Sequence, residues 1–178
     1  MQGFALWAVG SDRPGMIAGL SGAVASVGGN LSDCSMTILS GQFAMVMIIT
    51  GPDALDADGI ERAVAPAVAA LGLTVEVRAI ELDRPPEARS VPHVVSVYGA
   101  DRPGIVHAIT AALARAGANV TDLETRVVGA PEAPVYTMML EVSLPVDVVL
   151  DDLRAELEAR AEELGVDVSI HAADSDVL

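Results

Sequence analysis

The sequence contains no lysine, a single cysteine and only five aromatic residues in 178. One cysteine, Cys34, excludes an intramolecular disulfide. The ten basic residues are all arginine and oppose 25 carboxylates, which gives a formal net charge of −15. Because a nucleic-acid backbone requires a clustered basic surface, direct nucleic-acid binding is not expected. We interpret the acidic excess as a solvated surface, with a docking patch for a basic partner as the alternative.

Long apolar runs and catalytic motifs are also missing. No stretch approaches the roughly 18–20 apolar residues that a membrane span needs, and the N-terminus carries no basic signal region, so we expect a soluble, cytoplasmic protein without membrane contact. The three histidines His93, His107 and His171 are far apart and lack metal-ligand spacing. No nucleophile elbow, Walker loop or dinucleotide fingerprint occurs. The sequence therefore predicts no catalytic residue, no metal site and no cofactor.

An internal duplication is the dominant feature of the chain. Residues 10–34 return 89 positions later as residues 99–123, with ten of the 25 positions identical. The repeat predicts a first domain at 1–82, a proline-rich linker at 83–92, a second domain at 93–173 and a tail at 174–178. With no third segment in this sequence to hold a catalytic domain, we expect the function to lie in the repeats or where they meet. Because Cys34 is replaced by Leu123 in the copy, we expect it to be a buried apolar residue.

Both repeats show the same order of predicted elements, βαββαβ. The predicted strands cover residues 4–9, 31–39, 43–50 and 74–82, and then 94–98, 120–128, 135–144 and 166–172. Pro14 and Pro103 suit the first position of a helix, and Gly28 and Gly117 suit its end. One apolar stripe is expected to be buried on each first helix, formed by Ile17, Leu20, Val24 and Val27 in one copy and Val106, Ile109, Leu113 and Ala116 in the other.

This order predicts an α+β fold of two ferredoxin-like units, each an antiparallel sheet with both helices packed on one face. The segment 40–42 suits a tight hairpin turn, whereas the corresponding hairpin of the second copy is four residues longer and contains Pro131 and Pro134. Small units with open sheet edges usually pair, so we expect a homodimer.

The turn between the first strand and the first helix is the candidate binding element in each repeat. A glycine there lets a ligand approach the backbone, and the first amides of the helix suit a carboxylate. The alternative is that the aspartates cap the helices, the arginines lie in solvent and the glycines serve only tight packing. The candidate residues are Asp12, Arg13, Pro14, Gly15 and Met16 in one copy and Asp101, Arg102, Pro103, Gly104 and Ile105 in the other.

Asn30 and Asn119, which enter the second strand of each repeat, form the second candidate element. Their amides can donate to a carboxylate and accept from an amine, although an asparagine is also common in turns for its local hydrogen bonds. His107 replaces Ala18 of the first copy, and Ala100 replaces Ser11, so the two sites need not share a ligand.

With a Gly-x-Asp-Arg-Pro-Gly turn and a Gly-x-Asn before the second strand, both duplicated, the chain resembles ACT-domain proteins. It is similar to the tandem type exemplified by the glycine cleavage system transcriptional repressor, over residues 3–172. The resemblance implies that ACT units pair side by side. It also implies amino-acid ligands at the seam between the loop of one unit and the second strand of its partner, held by the candidate residues named above.

The resemblance further implies a non-catalytic regulatory protein that binds a small amino acid, with glycine or serine favoured. Occupancy would pass to a regulatory protein partner, in transcriptional control of amino-acid or one-carbon metabolism. The alternative is an interaction module that has kept the ACT scaffold without a ligand. The asymmetry of the copies and the uneven charge, −5 over residues 1–82 and −10 over residues 93–178, motivate that alternative.

Overall fold

The computed structural model describes residues 2–82, 90–130 and 134–173. The chain divides into two compact units, residues 1–85 and 86–178. Of the predicted linker, residues 90–92 belong to a strand and residues 83–89 lie outside the described part of the chain. The predicted tail at 174–178 and residues 131–133 of the long second hairpin loop also lie outside it.

Each unit has the predicted order βαββαβ. The first contains β1 (Gln2–Ser11), α1 (Met16–Ser26), β2 (Asn30–Leu39), β3 (Gln42–Thr50), α2 (Ala57–Leu71) and β4 (Thr74–Glu81). The second contains β5 (Ser90–Gly99), α3 (Ile105–Arg115), β6 (Asn119–Val128), β7 (Val135–Pro145), α4 (Leu150–Leu164) and β8 (Val166–Ala172). The sheets are antiparallel, with strand orders β2-β3-β1-β4 and β6-β7-β5-β8.

Alternation along the two central strands explains why both helices pack on one face of each sheet. In β3 every second residue is buried, and Phe4, Leu6 and Ala8 of β1 are buried on the same face, because side chains in a strand point alternately to opposite faces. Gly3 and Ala5 of β1 are buried as well. The buried set joins residues of both helices in one core, which in the first unit includes Phe4, Leu6, Phe43, Met47, Leu20, Val24, Ile60 and Val64. The second unit repeats the arrangement with Val95, Val97, Met138, Leu140, Ile109, Leu113, Leu153 and Leu157.

The first helix of each unit begins later than the sequence pattern predicted. Pro14 and Pro103 lie in the turn before the helix, and the helical residues begin at Met16 and Ile105. These two residues are buried, whereas Ile17 and Val106 are exposed, so that part of the predicted stripe was wrong. The periodicity therefore placed the first member of each stripe one residue too late in the sequence.

The second strand of each unit is an edge strand and is exposed along nearly its whole length. From residue 32 to 39 in β2 and from 121 to 128 in β6, every side chain is exposed. The expectation that Cys34 is buried was therefore wrong, because it lies on β2 beyond the cover of the helices. The exposed apolar side chains on these edges are Met36, Ile38, Leu39, Leu123, Val127 and Val128.

Glycines at two kinds of position, a hairpin turn and a close approach between chain segments, determine the local geometry of the sheets. In the predicted hairpin turn, Ser40 and Gly41 both have positive φ, 50° and 77°, which matches the twist of the strands that they connect. At the end of β5, Gly99 faces the start of β8: a Cβ on Gly99 would lie 2.8 Å from Cγ1 and 3.0 Å from Cα of Val166. Gly10 has the same role against Gly72 and Leu73 in the first unit.

We predict that Gly99→Ala destabilises the protein, because the new methyl group cannot be accommodated without moving the backbone of β8. Overpacking of this kind costs about 1–3 kcal/mol of unfolding free energy. Gly22→Ala is the matched control: it lies in α1 with no atom within 4 Å of the added Cβ, and alanine favours a helix by up to ~1 kcal/mol. Urea unfolding followed by circular dichroism measures both. Equal stability of Gly99→Ala and the wild type would contradict the packing role.

Candidate functional site

The strand-to-helix turn has the same conformation in both units. Gly15 and Gly104 precede the helices with φ of 95° and 97°, which only glycine adopts without strain. A Cβ on either would have no atom within 4 Å, so these glycines do not serve tight packing. No side chain caps either helix. Two parts of the alternative interpretation, the aspartate caps and the packing glycines, are therefore wrong.

The uncapped helix starts leave amide groups directed at solvent. The first amides of an α-helix have no acceptor within the helix, and the positive end of the helix dipole lies beside them. In the described part of the chain, no backbone or side-chain acceptor is recorded for the amides of Gly104, Ile105 and Val106. Such a group of free amides is suited to bind a carboxylate.

In the second unit this turn forms one wall of a cleft of about 540 Å³. The opposite wall comes from the sheet, where Thr125 on β6 and Tyr136 on β7 face the helix start. Of the predicted residues, Asp101, Arg102, Gly104 and Ile105 meet here, together with Val106 and His107.

Tyr136 is the most buried polar side chain of the cleft, with 7% of its surface exposed. Burial, followed by the nearby negative charge of Asp101, raises the pKa of the Tyr136 hydroxyl above its usual value of 10.0. The hydroxyl is therefore protonated at neutral pH and can both donate and accept a hydrogen bond.

Tyr136 and Thr125 were not among the residues predicted from the sequence. Both lie on strands that follow the motif by 20 residues or more, so no local spacing links them to it. The repeat itself could have indicated Tyr136. It takes the place of Phe43, and the hydroxyl of a core tyrosine needs a polar environment.

Arg102 is exposed and lies beside the C-terminus of α4. A Cβ on Gly165, the residue that ends α4 with φ 65°, would lie 3.1 Å from Nη1 of Arg102. A cation at this position is favoured by the negative end of the helix dipole. The first unit differs, since nothing lies within 4 Å of the equivalent point on Gly72. Arg102 and Arg13 therefore have different surroundings.

The second candidate element does not meet the first within a unit. Asn30 pairs with Thr50 of β3. The preceding residue of β3, Ile49, pairs with Phe4, so Asn30 is level with the beginning of β1. The turn at Asp12 follows the other end of β1, nine residues away, or about 30 Å at ~3.3 Å per residue. Asn119 is likewise level with Pro92 and distant from the turn at Asp101. Asn30 and Asn119 are exposed at the sheet end opposite their own turn.

Within residues 2–82, 90–130 and 134–173, no three histidine, cysteine or carboxylate side chains are grouped so that they could hold a metal ion. No helix of this part of the chain is both long and apolar enough to cross a membrane.

We predict that Arg102→Ala lowers the unfolding free energy by about 0.5 kcal/mol at low salt, the usual size of a charge–dipole interaction at a helix end. The expected loss shrinks in 1 M NaCl because salt screens the interaction. Arg13→Ala, the same change in the first repeat, is the control and is expected to have a smaller effect. Thermal unfolding at two salt concentrations distinguishes the variants, and equal losses would refute a special role for Arg102.

Comparison with known proteins supports the duplicated architecture. The family model described as the ACT domain matches twice, at residues 4–78 and 92–171. A UPF0237 protein of Methanopyrus kandleri is 43% identical over 82 residues, which are 46% of this chain and 87% of that protein. The matched segment is therefore about as long as one unit.

Solved structures match the whole chain. The crystal structure of an unknown protein from Galdieria sulphuraria has a TM-score of 0.83 and 30% identity, covering 97% of this chain and 98% of the other. A candidate glycine cleavage system transcriptional repressor has a TM-score of 0.67 and 20% identity, with 96% of both chains covered, and thus shares the fold. Two matches to the family model, over most of the sequence, show that this chain belongs to the ACT domain family as a tandem of two units.

Proposed function

We propose that this protein is a non-catalytic regulator that binds a small amino acid and transmits its presence to a protein partner. The observation that carries the proposal is the cleft of the second unit, where free helix amides, an open glycine turn and the hydroxyl of the largely buried Tyr136 line one space. Glycine and serine fit the size of the ligand that the resemblance implies. The expected setting is transcriptional control of amino-acid or one-carbon metabolism.

The charges of the cleft suit a zwitterion. The amides at the start of α3 attract a carboxylate through hydrogen bonds and the helix dipole. The carboxylate of Asp101, which also lines the cleft, attracts an ammonium group. A free α-amino acid carries both charged groups on one carbon atom, so one small molecule can contact both the helix amides and Asp101.

Asn30 and Asn119 contribute to a ligand only if a second ACT unit brings them to a turn that is not their own. The distance of about 30 Å along the strand excludes an intra-unit role. The exposed apolar edges β2 and β6 favour association, because a long unpaired edge strand readily pairs with another chain. We therefore propose a homodimer in which ligand sites form at the contacts between ACT units.

A ligand-free interaction module is the second candidate. The observation that favours it is the same pair of apolar edges, which can pair with another protein whether or not an amino acid is present.

We expect millimolar concentrations of one or two amino acids to raise the melting temperature, because a ligand that binds the folded state stabilises it by mass action, by about 2.7 kcal/mol at 100 times Kd. The measurement is a thermal-shift screen against the twenty amino acids. Gly104→Val, which places a branched side chain at φ 97°, should abolish the shift. Val149→Ala, at an exposed position that is distant from the motif in the sequence, is the control. A flat screen would favour the ligand-free module.

We expect light scattering to give the mass of two chains. Ile38→Lys and Val127→Lys, each on an exposed edge strand, should shift the protein toward the 18.3 kDa monomer, because a charge on an edge opposes strand pairing. Val149→Lys adds the same charge at an exposed residue outside the strands and should leave the dimer intact. A monomer mass for the wild type at all concentrations would refute the dimer.

A further inference from the structure

The cleft of the second unit is lined by three hydrogen-bonding side chains that the first unit replaces with apolar ones. His107 follows the turn, and Thr125 and Tyr136 come from the sheet. By the repeat, their counterparts are Ala18, Met36 and Phe43. No polar side chain of this group is retained in the first unit.

Strand pairing establishes these equivalences independently of the sequence alignment. Tyr136 pairs with Gly99 and Val127, just as Phe43 pairs with Gly10 and Ile38. Thr125 pairs with Met138 in the same register in which Met36 pairs with Met45. The backbones of the two sites therefore correspond, and the difference between them is chemical.

The Tyr136 hydroxyl is available to a ligand. Its ring is packed in the core, 93% buried, yet the side chain reaches the cleft. No hydrogen-bond partner is recorded for the hydroxyl among the described residues, and no buried polar side-chain atom there is left unsatisfied, so the oxygen is reached from the cleft. A ligand that places an apolar group against this hydroxyl would remove the hydroxyl's hydrogen bond to solvent without replacing it.

Such a site discriminates strongly between ligands that differ by one polar group. A site built to hydrogen-bond a substrate hydroxyl rejects the analogue that lacks it, because its own polar groups are then left unpaired. Thr125 and His107 add a second hydroxyl and an imidazole on the same cleft. The apolar counterparts in the first unit provide none of these groups.

We infer that the second unit alone binds the ligand, that the ligand is an α-amino acid with a short hydrogen-bonding side chain, a hydroxyl or a carboxamide, and that Tyr136 determines this specificity. The inference rests on the proposed function and narrows it: serine is expected to bind, whereas glycine and alanine bind weakly. The first unit then serves assembly and does not report the same molecule.

The test is isothermal titration of the full chain with L-serine, L-asparagine, glycine and L-alanine. We expect one serine or asparagine per chain and at least tenfold weaker binding of alanine. Tyr136→Phe, which installs the residue of the first repeat, should weaken the polar ligand about 5- to 10-fold and leave alanine unchanged. Thr125→Met, at an exposed position, is a second variant that leaves the core untouched. Phe43→Tyr is the matched control in the first unit and should leave the affinity unchanged.

Two results would overturn the inference while leaving the proposed function in place. One is tight binding in which the affinity for alanine equals that for serine, or an unchanged affinity for serine in a Tyr136→Phe variant whose melting temperature matches the wild type. The other is a stoichiometry of two amino acids per chain. If none of the four amino acids binds the wild type but another one does, the proposed function stands and the specificity assigned to Tyr136 is wrong. If no amino acid binds at all, both fail.

Discussion

The glycine turn between the first strand and the first helix determines most of what each unit can do. With φ near 95° at Gly15 and 97° at Gly104, the chain leaves the strand and starts the helix without a capping side chain. Because the space beside each glycine is open, the first amides of the helix face solvent. The position of the helix start also decides which residues of α1 and α3 face the core. A larger residue here would alter the binding surface and the helix phase together.

The two repeats share this backbone conformation but differ in the side chains that surround it. Gly10 and Gly99 allow the same close approach of neighbouring strands, and Gly28 and Gly117 end the first helices with the same positive φ. Around this constant frame, Tyr136 stands where the first repeat has Phe43. The first site is apolar at the positions where the second carries hydrogen-bonding groups. Because backbone amides alone do not distinguish one carboxylate from another, side-chain differences of this kind decide which ligand a site can favour.

The sequence predicted the order of elements and the antiparallel, ferredoxin-like units, because alternating and helical periodicities repeat over long segments. It also predicted the positive φ of Gly28 and the tight turn at Ser40. It misplaced Pro14, since a proline fits both the turn and the first helical position, and the choice depends on the conformation of Gly15. It missed Tyr136 because a cleft joins residues that are distant along the chain. Exposure of Cys34 depends on the order of strands in the sheet, which local patterns do not encode.

The edge strands β2 and β6 present two exposed strands at which a chain can pair with another. Natural edge strands are commonly protected by lysine, and this sequence contains none. If both edges pair with their own copies in the same second chain, the assembly has a two-fold axis and is closed. If β2 of one chain pairs with β6 of the next, the contact is heterologous, and it gives a ring when the rotation between copies closes and a filament when it does not. The two edges differ in their charged side chains: Ser35 and Thr37 are neutral, whereas Glu124 and Arg126 at the same repeat positions form an ion pair. That difference makes the pairing of like edges chemically distinct from the pairing of unlike edges.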